Sequence, residues 1–144
     1  MSTMEDATAC FEKGYNCSQA VVWAFAPGLG LEGDMALKVS AAFGGGMGMM
    51  GSTCGVVTGA MMVLGLRYGA TGAADRSAKM KTYEMTREFV RRFEGRNGTV
   101  LCRELLGFDL GTPEGKKQAA ATKTHANVCP RFVRDAVEIL QEML

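Results

Sequence analysis

The sequence contains one histidine and no pair of cysteines separated by two residues, and both absences narrow the possible chemistry. A single histidine, His125, argues against a histidine-rich metal site and against a conventional Ser-His-Asp triad. The lack of a Cys-x-x-Cys pair argues against a thioredoxin-like redox motif and against a ribbon-type zinc site. A cysteine-based site must therefore be assembled from distant parts of the chain.

An excess of one charge sign and a true membrane span are also missing. The chain carries 16 Lys and Arg against 15 Asp and Glu, so electrostatics gives no reason to expect a nucleic acid or an acidic membrane as partner. The uncharged stretch from Val39 to Leu66 contains eight glycines, which favours a loop followed by a buried helix over a membrane-spanning segment. Residues 1–6 carry neither a basic nor an apolar run, which predicts no signal peptide and a cytoplasmic protein.

Apolar residues recur at helical spacing along most of the chain, and no segment alternates as a strand would. The predicted helices are Glu5 to Ala26 with a break at Gly14–Asn16, Asp34 to Phe43, Ser52 to Tyr68, Asp75 to Glu94, Thr99 to Gly107, one from Pro113 and one from Pro130. The predicted inward residues include Met35, Leu37, Val39 and Ala42 in the second segment and Met80, Tyr83, Met85, Phe89, Val90 and Phe93 in the fourth. With 144 residues and no linker, the chain is predicted to be one all-α domain, residues 1–144, built as a compact bundle of five to seven helices.

Four of the five cysteines fall where helices are predicted to begin. They are Cys17 after the cap Asn16, Cys54 in the first turn after Ser52 or Thr53, Cys102 in the first turn after Thr99, and Cys129 as the N-cap before Pro130. Free backbone N–H groups at a helix start favour the thiolate, which is both the nucleophile and the metal ligand. Cys10 lies within a helix among apolar residues and is predicted to belong to the core.

Gly51, Gly55 and Gly59 recur every four residues around the predicted start of the third helix. Such a strip lets a helix pack closely on a neighbour, or leaves room for an inorganic group beside its first turn. Gly55 and Gly59 are therefore candidate cofactor-binding positions through close backbone approach. His125 is predicted to be a polar surface residue.

Several of these motifs together resemble a known family. Asn16-Cys17-Ser-Gln-Ala, Phe43-Gly-Gly-Gly-Met-Gly, Cys54-Gly-Val-Val-Thr-Gly59, Cys102-Arg-Glu-Leu-Leu-Gly107 and Cys129-Pro130 are similar to the redox-active proteins named for a C_GCAxxG_C_C pattern. The resemblance runs from about Tyr15 to Leu140, and Val56 stands where the family usually has Ala. It implies a redox or metal role for the four cysteines, and a redox partner protein or a transporter-associated system as partner.

Three functions remain open from the sequence. In the first, Cys17, Cys54, Cys102 and Cys129 bind an iron–sulfur cluster, zinc or another thiophilic metal, since four thiolates are a usual ligand set. In the second, the same cysteines cycle between dithiol and disulfide. In the third, the chain is a non-catalytic accessory protein whose cysteines only pack. A homodimer is compatible with each.

Overall fold

The structure, a computed structural model, describes residues 3–144. Met1 and Ser2, the first two residues of the segment considered above as a possible signal peptide, lie outside the described residues. Within that range the chain forms nine α-helices: α1 (Thr3–Glu12), α2 (Cys17–Phe25), α3 (Gly33–Ser40), α4 (Gly55–Tyr68), α5 (Arg76–Asn97), α6 (Cys102–Leu106), α7 (Pro113–Thr122), α8 (Thr124–Asn127) and α9 (Cys129–Met143). Two short 3₁₀ segments, Ala26–Leu29 and Ala41–Phe43, follow α2 and α3. The all-α class is confirmed.

Nine helices replace the five to seven predicted, for two local reasons. The predicted break at Gly14–Asn16 is complete and separates α1 from α2. The four-residue α8 was not predicted, and it begins after Lys123, which closes α7 in the left-handed conformation. No helix among residues 3–144 is long and apolar enough to cross a membrane.

The centre of the fold is the contact between α2 and α4, with α1, α5 and α9 packed around it. The apolar segment predicted as a core helix is α4, which is buried continuously from Gly55 to Ala60 and again at Val63 and Leu64. A helix that is apolar on every side needs neighbours on every side. In α9, the predicted stripe from Phe132 to Leu140 is buried, while Leu144 is 39% exposed.

Two predicted inward faces are wrong in part. Met35 and Val39 of α3 are 51% and 52% exposed, because the face of α3 that packs carries Ala36 and Ser40 instead. Met80 and Tyr83 of α5 are 44% and 48% exposed. The buried residues of α5 are Phe89 and Phe93. The spacing of apolar residues therefore predicted which face of α5 is buried, but not that burial is confined to the second half of the helix.

Some helix boundaries also differ from prediction because a different residue supplies the cap. Glu32, not Asp34, caps α3 by accepting a hydrogen bond from the Asp34 N–H. Asp75 caps α5 as predicted, by accepting from the Ala78 N–H, but the helix continues to Asn97. These shifts of one to three residues leave the order of the helices unchanged.

Candidate functional site

The four predicted site cysteines line one cavity of about 850 Å³. Each comes from a different part of the chain: Cys17 begins α2, Cys54 precedes α4, Cys102 begins α6 and Cys129 begins α9. Cys10 does not line this cavity. It is 3% exposed in the apolar core, as predicted, and burial raises the pKa of its thiol to about 11.

Asn16 fixes the start of α2 and with it the position of Cys17. The Asn16 side-chain oxygen accepts from the Gln19 N–H at 2.9 Å, and the Gln19 side-chain oxygen accepts from the Asn16 N–H at 2.9 Å. This reciprocal pair is a capping box, which satisfies two backbone donors at the helix start. The predicted cap is therefore confirmed, and Cys17 is the first residue of the helix.

Cys17 lies where hydrogen-bond donors converge on its sulfur. The Cys54 thiol is the largest influence on its pKa, and the backbone N–H groups of Gly45, Ser18 and Cys17 itself act in the same direction. Together these groups outweigh burial and lower the pKa of Cys17 from about 9 to about 7. Donors aimed at a thiolate stabilise the charged form.

Cys54 is the N-cap of α4 and not a first-turn residue as predicted. Ser52 and Thr53 do not cap the helix, because this stretch is drawn into an antiparallel bridge between Thr53 and Leu101. The Cys54 N–H accordingly donates to the Val100 carbonyl at 2.8 Å. Its hydrogen bond to Cys17, followed by burial, raises the pKa of Cys54 well above its usual range.

Cys102 and Cys129 are both the first residues of their helices, which is two positions from the prediction for Cys102 and one position for Cys129. Leu101 and not Thr99 occupies the N-cap of α6, and Val128 and not Cys129 occupies that of α9. Burial raises the pKa of Cys102 to about 11, and the charges of Cys17 and Asp109 add to the effect. Burial likewise raises the pKa of Cys129 to about 12, with contributions from Cys17 and Cys102.

The expectation that all four helix starts favour thiolate is therefore wrong for three of them. Only Cys17 receives several hydrogen bonds at its sulfur, whereas burial dominates the pKa of Cys102 and Cys129. Moving a charge out of water costs more than a helix dipole returns. The site consequently contains one thiol whose pKa is lowered and three whose pKa values are raised.

Gly55 and Gly59 allow α4 to approach α2 at the position of Cys17. A Cβ atom at Gly55 would collide with the Cys17 sulfur, and one at Gly59 would lie 3.0 Å from the Ser18 carbonyl oxygen. The close approach that Gly55 and Gly59 allow is therefore a contact between α2 and α4. That these two glycines bind a cofactor stays a prediction. Gly51 lies before the helix, in the loop, with φ +68°.

The loop between α3 and α4 forms one wall of the cavity and has an unusual backbone. Residues 45–49 all have positive φ, between 62° and 74°, and two of them are Met47 and Met49. A run of left-handed residues is costly for any residue except glycine. The loop brings the Gly45 N–H to the Cys17 sulfur, a role that the glycine-rich sequence did not reveal.

The rest of the cavity wall is mostly apolar and was missed by sequence reasoning. Its members from the C-terminal half of the chain include Leu105, Leu106, Leu110, Ala119, Ala120 and Phe132. Lys123 is the only lysine or arginine that lines the cavity, and no Asp or Glu of residues 3–144 does so. These residues became neighbours only through the tertiary packing of α6, α7 and α9.

His125 is exposed, as predicted, but it also lies at the edge of the cavity. Its ring stacks on Phe11 with centroids 3.8 Å apart. The Tyr15 carbonyl oxygen lies 3.2 Å from its Nε2 atom. These contacts hold α8 against the end of α1 and against the turn that precedes Cys17.

The arrangement of the cysteines does not fit a metal ion directly. Within residues 3–144, no three side chains from His, Cys, Asp and Glu are grouped closely enough to hold one. Four thiols around one cavity are a suitable type of ligand for a thiophilic metal. Their positions, however, bring only Cys17 and Cys54 into a close pair. All five cysteines are free thiols.

Comparison with known proteins places the chain in a family. Residues 15–143 match the model of the family described as "Putative redox-active protein (C_GCAxxG_C_C)". Neither the curated proteins nor the solved structures include a match to the chain. Because the family match covers nearly the whole sequence, the chain belongs to the C_GCAxxG_C_C family.

Proposed function

We propose that this protein performs thiol–disulfide exchange, with Cys17 as the attacking thiolate and Cys54 as its partner. The observation that carries the proposal is the placement of Cys17 and Cys54 side by side in the cavity: both residues line it, and the backbone of Gly55, next to Cys54, lies against the Cys17 sulfur. The contact between the two thiols lowers the pKa of Cys17 and raises that of Cys54. A pair poised in this way has a nucleophile for the first step and a second thiol for the next.

The reaction needs a disulfide as electron acceptor. The Cys17 thiolate attacks one sulfur of the acceptor, forms a mixed disulfide and displaces the other half as a thiolate, which takes the proton from Cys54. The Cys54 sulfur then attacks the Cys17 sulfur and displaces the second half of the acceptor. The second half leaves as a thiolate and takes up a proton from water. The protein loses two electrons and gains a Cys17–Cys54 disulfide, and the acceptor is reduced to two thiols.

Mild oxidation of the reduced protein tests this proposal. We expect diamide to remove two hydrogen atoms from the intact mass and peptide mapping to identify a Cys17–Cys54 bond. Cys17→Ser and Cys54→Ser should each abolish this bond, whereas Cys10→Ser, which changes a core thiol outside the cavity, should retain it. Formation of a different pair, or of none, contradicts the proposal.

A four-thiolate metal site is the second candidate, supported by the position of Cys17, Cys54, Cys102 and Cys129 around one cavity. It requires the four side chains to move closer together than they lie here. Metal and acid-labile sulfide analysis of protein purified without oxygen tests it. Stoichiometric metal that is lost in each of the four Cys→Ser variants supports the metal site over disulfide exchange.

The accessory function, in which the cysteines only pack, makes a separate prediction. Under it, Cys→Ala changes at the four positions alter neither oxidation nor metal content. Selective reactivity of Cys17 at neutral pH would contradict it, since a thiol that only packs is inert.

A further inference from the structure

We propose that the electron acceptor is a small, mostly apolar disulfide that carries a carboxylate, and that it binds in the cavity lined by the four cysteines. The inference rests on the proposed disulfide exchange and adds the chemical class of the substrate. It depends on three features of the cavity: its size, its apolar wall and the position of Lys123.

The size of the cavity matches a small molecule. Its volume of about 850 Å³ lies within the roughly 300–1,000 Å³ that is usual for small-ligand sites. Cys54 and Cys102 are each only 6% exposed. Cys17, the attacking residue, is partly exposed, and a small disulfide that enters the cavity reaches it.

The wall of the cavity selects against charged disulfides. Apart from Lys123 and the polar residues Asn16, Thr124 and His125, the wall away from the cysteines is made by alanine, leucine, methionine and phenylalanine side chains and by the backbone of glycines, including residues 44–46 and 48. Burying a charged group against such a wall costs free energy unless a partner compensates it. An alkyl chain, in contrast, gains free energy for each methylene that leaves water.

Lys123, an exposed residue at the cavity wall, provides a compensating charge. It lies between α7 and α8 and lines the cavity, and no carboxylate of residues 3–144 lines the cavity to neutralise it. A ligand with one carboxylate at the end of an apolar chain pairs with Lys123 while its sulfur atoms lie among the cysteines. The ammonium group of lysine is a point charge that suits such a terminal anion.

In the reaction, this ligand is the two-electron acceptor. Its S–S bond breaks when Cys17 attacks, and the second half leaves when Cys54 closes the protein disulfide. The ligand departs as one thiol, protonated by Cys54, and one thiolate, which takes its proton from water; neither a metal nor a further oxidant is required.

The first experiment uses a series of linear disulfides, HO₂C–(CH₂)n–S–S–(CH₂)n–CO₂H, with n from 2 to 5. The rate of oxidation of the reduced protein is measured by intact mass and divided by the rate for free N-acetylcysteine. We expect this ratio to rise about two- to fourfold for each methylene added to a chain. A ratio that stays constant with n, or that is as high for the dication cystamine, overturns the proposal.

The second experiment uses matched variants. Lys123→Gln should slow the carboxylate disulfides at least threefold and leave the corresponding alcohol disulfides unchanged, whereas Lys117→Gln, on α7 but outside the cavity wall, should affect neither. Ala120→Trp, on the wall, should slow the longest disulfide most, and Ala121→Trp, one residue further along, should not. Equal effects within either pair contradict the proposed binding site.

The failure of this inference is distinguishable from failure of the proposed function. If diamide forms the Cys17–Cys54 bond but the disulfide series shows no dependence on chain length or on Lys123, disulfide exchange stands and the substrate class is wrong. If diamide forms no such bond, both are wrong. Reactivity of Cys17 toward iodoacetamide in Lys123→Gln and Ala120→Trp verifies that these variants keep the folded site.

Discussion

The side chains of Cys17 and Cys54 contact each other, and this contact makes two similar residues chemically different. It lowers the pKa of Cys17 and raises that of Cys54. Both residues lie at the start of a helix, so the helix dipole alone would treat them alike. Backbone N–H groups, including that of Gly45 from the glycine-rich loop, add to the lowering at Cys17.

The first prediction concerns the reactivity of Cys17. We expect its rate of alkylation by iodoacetamide to rise with pH around a midpoint of about 7, since the pKa of Cys17 is lowered to about 7. Cys10, Cys102 and Cys129 should stay unreactive in the folded protein at that pH, because burial raises their pKa values to about 11, 11 and 12. Mass spectrometry of the labelled peptides measures each site. In Cys54→Ala the midpoint for Cys17 should move upward, and an unchanged midpoint would show that Cys54 is not the main cause.

The second prediction concerns stability against pH. Between about pH 7 and pH 9 the unfolded chain keeps a proton on Cys17 that the folded chain has lost, so the free energy of unfolding should rise with pH. Above about pH 9 the fold retains protons on Cys10, Cys54, Cys102 and Cys129 that the unfolded chain loses, and stability should fall. Urea unfolding at a series of pH values under reducing conditions measures both the rise and the fall in the free energy of unfolding.

Cys17→Ala is the control for the stability profile. It removes the group whose pKa is lowered, so the rise between pH 7 and 9 should disappear while the fall at higher pH remains. A rise that persists in this variant would assign it to another residue.

The third prediction concerns the capping box at Cys17. Asn16→Ala should destabilise the fold by about 1 kcal/mol, because a helix cap is lost. It should also raise the pKa of Cys17, because the backbone N–H groups at the start of α2 are no longer held in place. Thr112→Ala removes an equivalent cap from α7, where the Thr112 hydroxyl accepts from the Gly115 N–H at 3.0 Å. It should cost a similar free energy but leave the Cys17 alkylation midpoint unchanged. Equal shifts of that midpoint in both variants would exclude a specific role for Asn16.

The fourth prediction compares two glycines of α4. Gly55→Ala should cost about 1–3 kcal/mol and slow formation of the Cys17–Cys54 disulfide, because the new methyl group meets the Cys17 sulfur. Gly65→Ala has no atom within 4 Å of the added methyl and should be neutral or stabilise by up to about 1 kcal/mol. Thermal unfolding and the diamide assay measure the two effects, and a harmless Gly55→Ala would contradict the close contact described for α2 and α4.

The fifth prediction concerns the left-handed residue between α7 and α8. Lys123 has φ +50°, a conformation that costs a residue with a Cβ about 1–2 kcal/mol, and the greater freedom of glycine in the unfolded chain offsets part of this cost. Lys123→Gly should therefore stabilise the fold by about 0.5–1 kcal/mol. Lys117→Gly, within α7, should destabilise it by about 1 kcal/mol. The same sign for both changes would contradict the left-handed cap.

Residues with strong local preferences were predicted correctly from sequence. Asn16 and Asp75 cap helices because their short polar side chains reach backbone N–H groups within the next turn. Interactions of this kind span a few residues, and the sequence alone shows them. The prediction failed where a segment distant in sequence makes the contact. At Cys54, for example, the backbone N–H donates a hydrogen bond to the Val100 carbonyl.

The sequence by itself determined the helical class, the order of the helices and the division of the five cysteines into four near helix starts and one in the core. Those properties follow from periodicity and capping, which act between neighbours in the chain. Only the tertiary structure decided that the four cysteines line one cavity, that Cys54 is the largest influence on the pKa of Cys17, and that Lys123 is the only lysine or arginine of residues 3–144 lining that cavity. These properties depend on burial and on contacts between residues far apart in sequence, which no local pattern records.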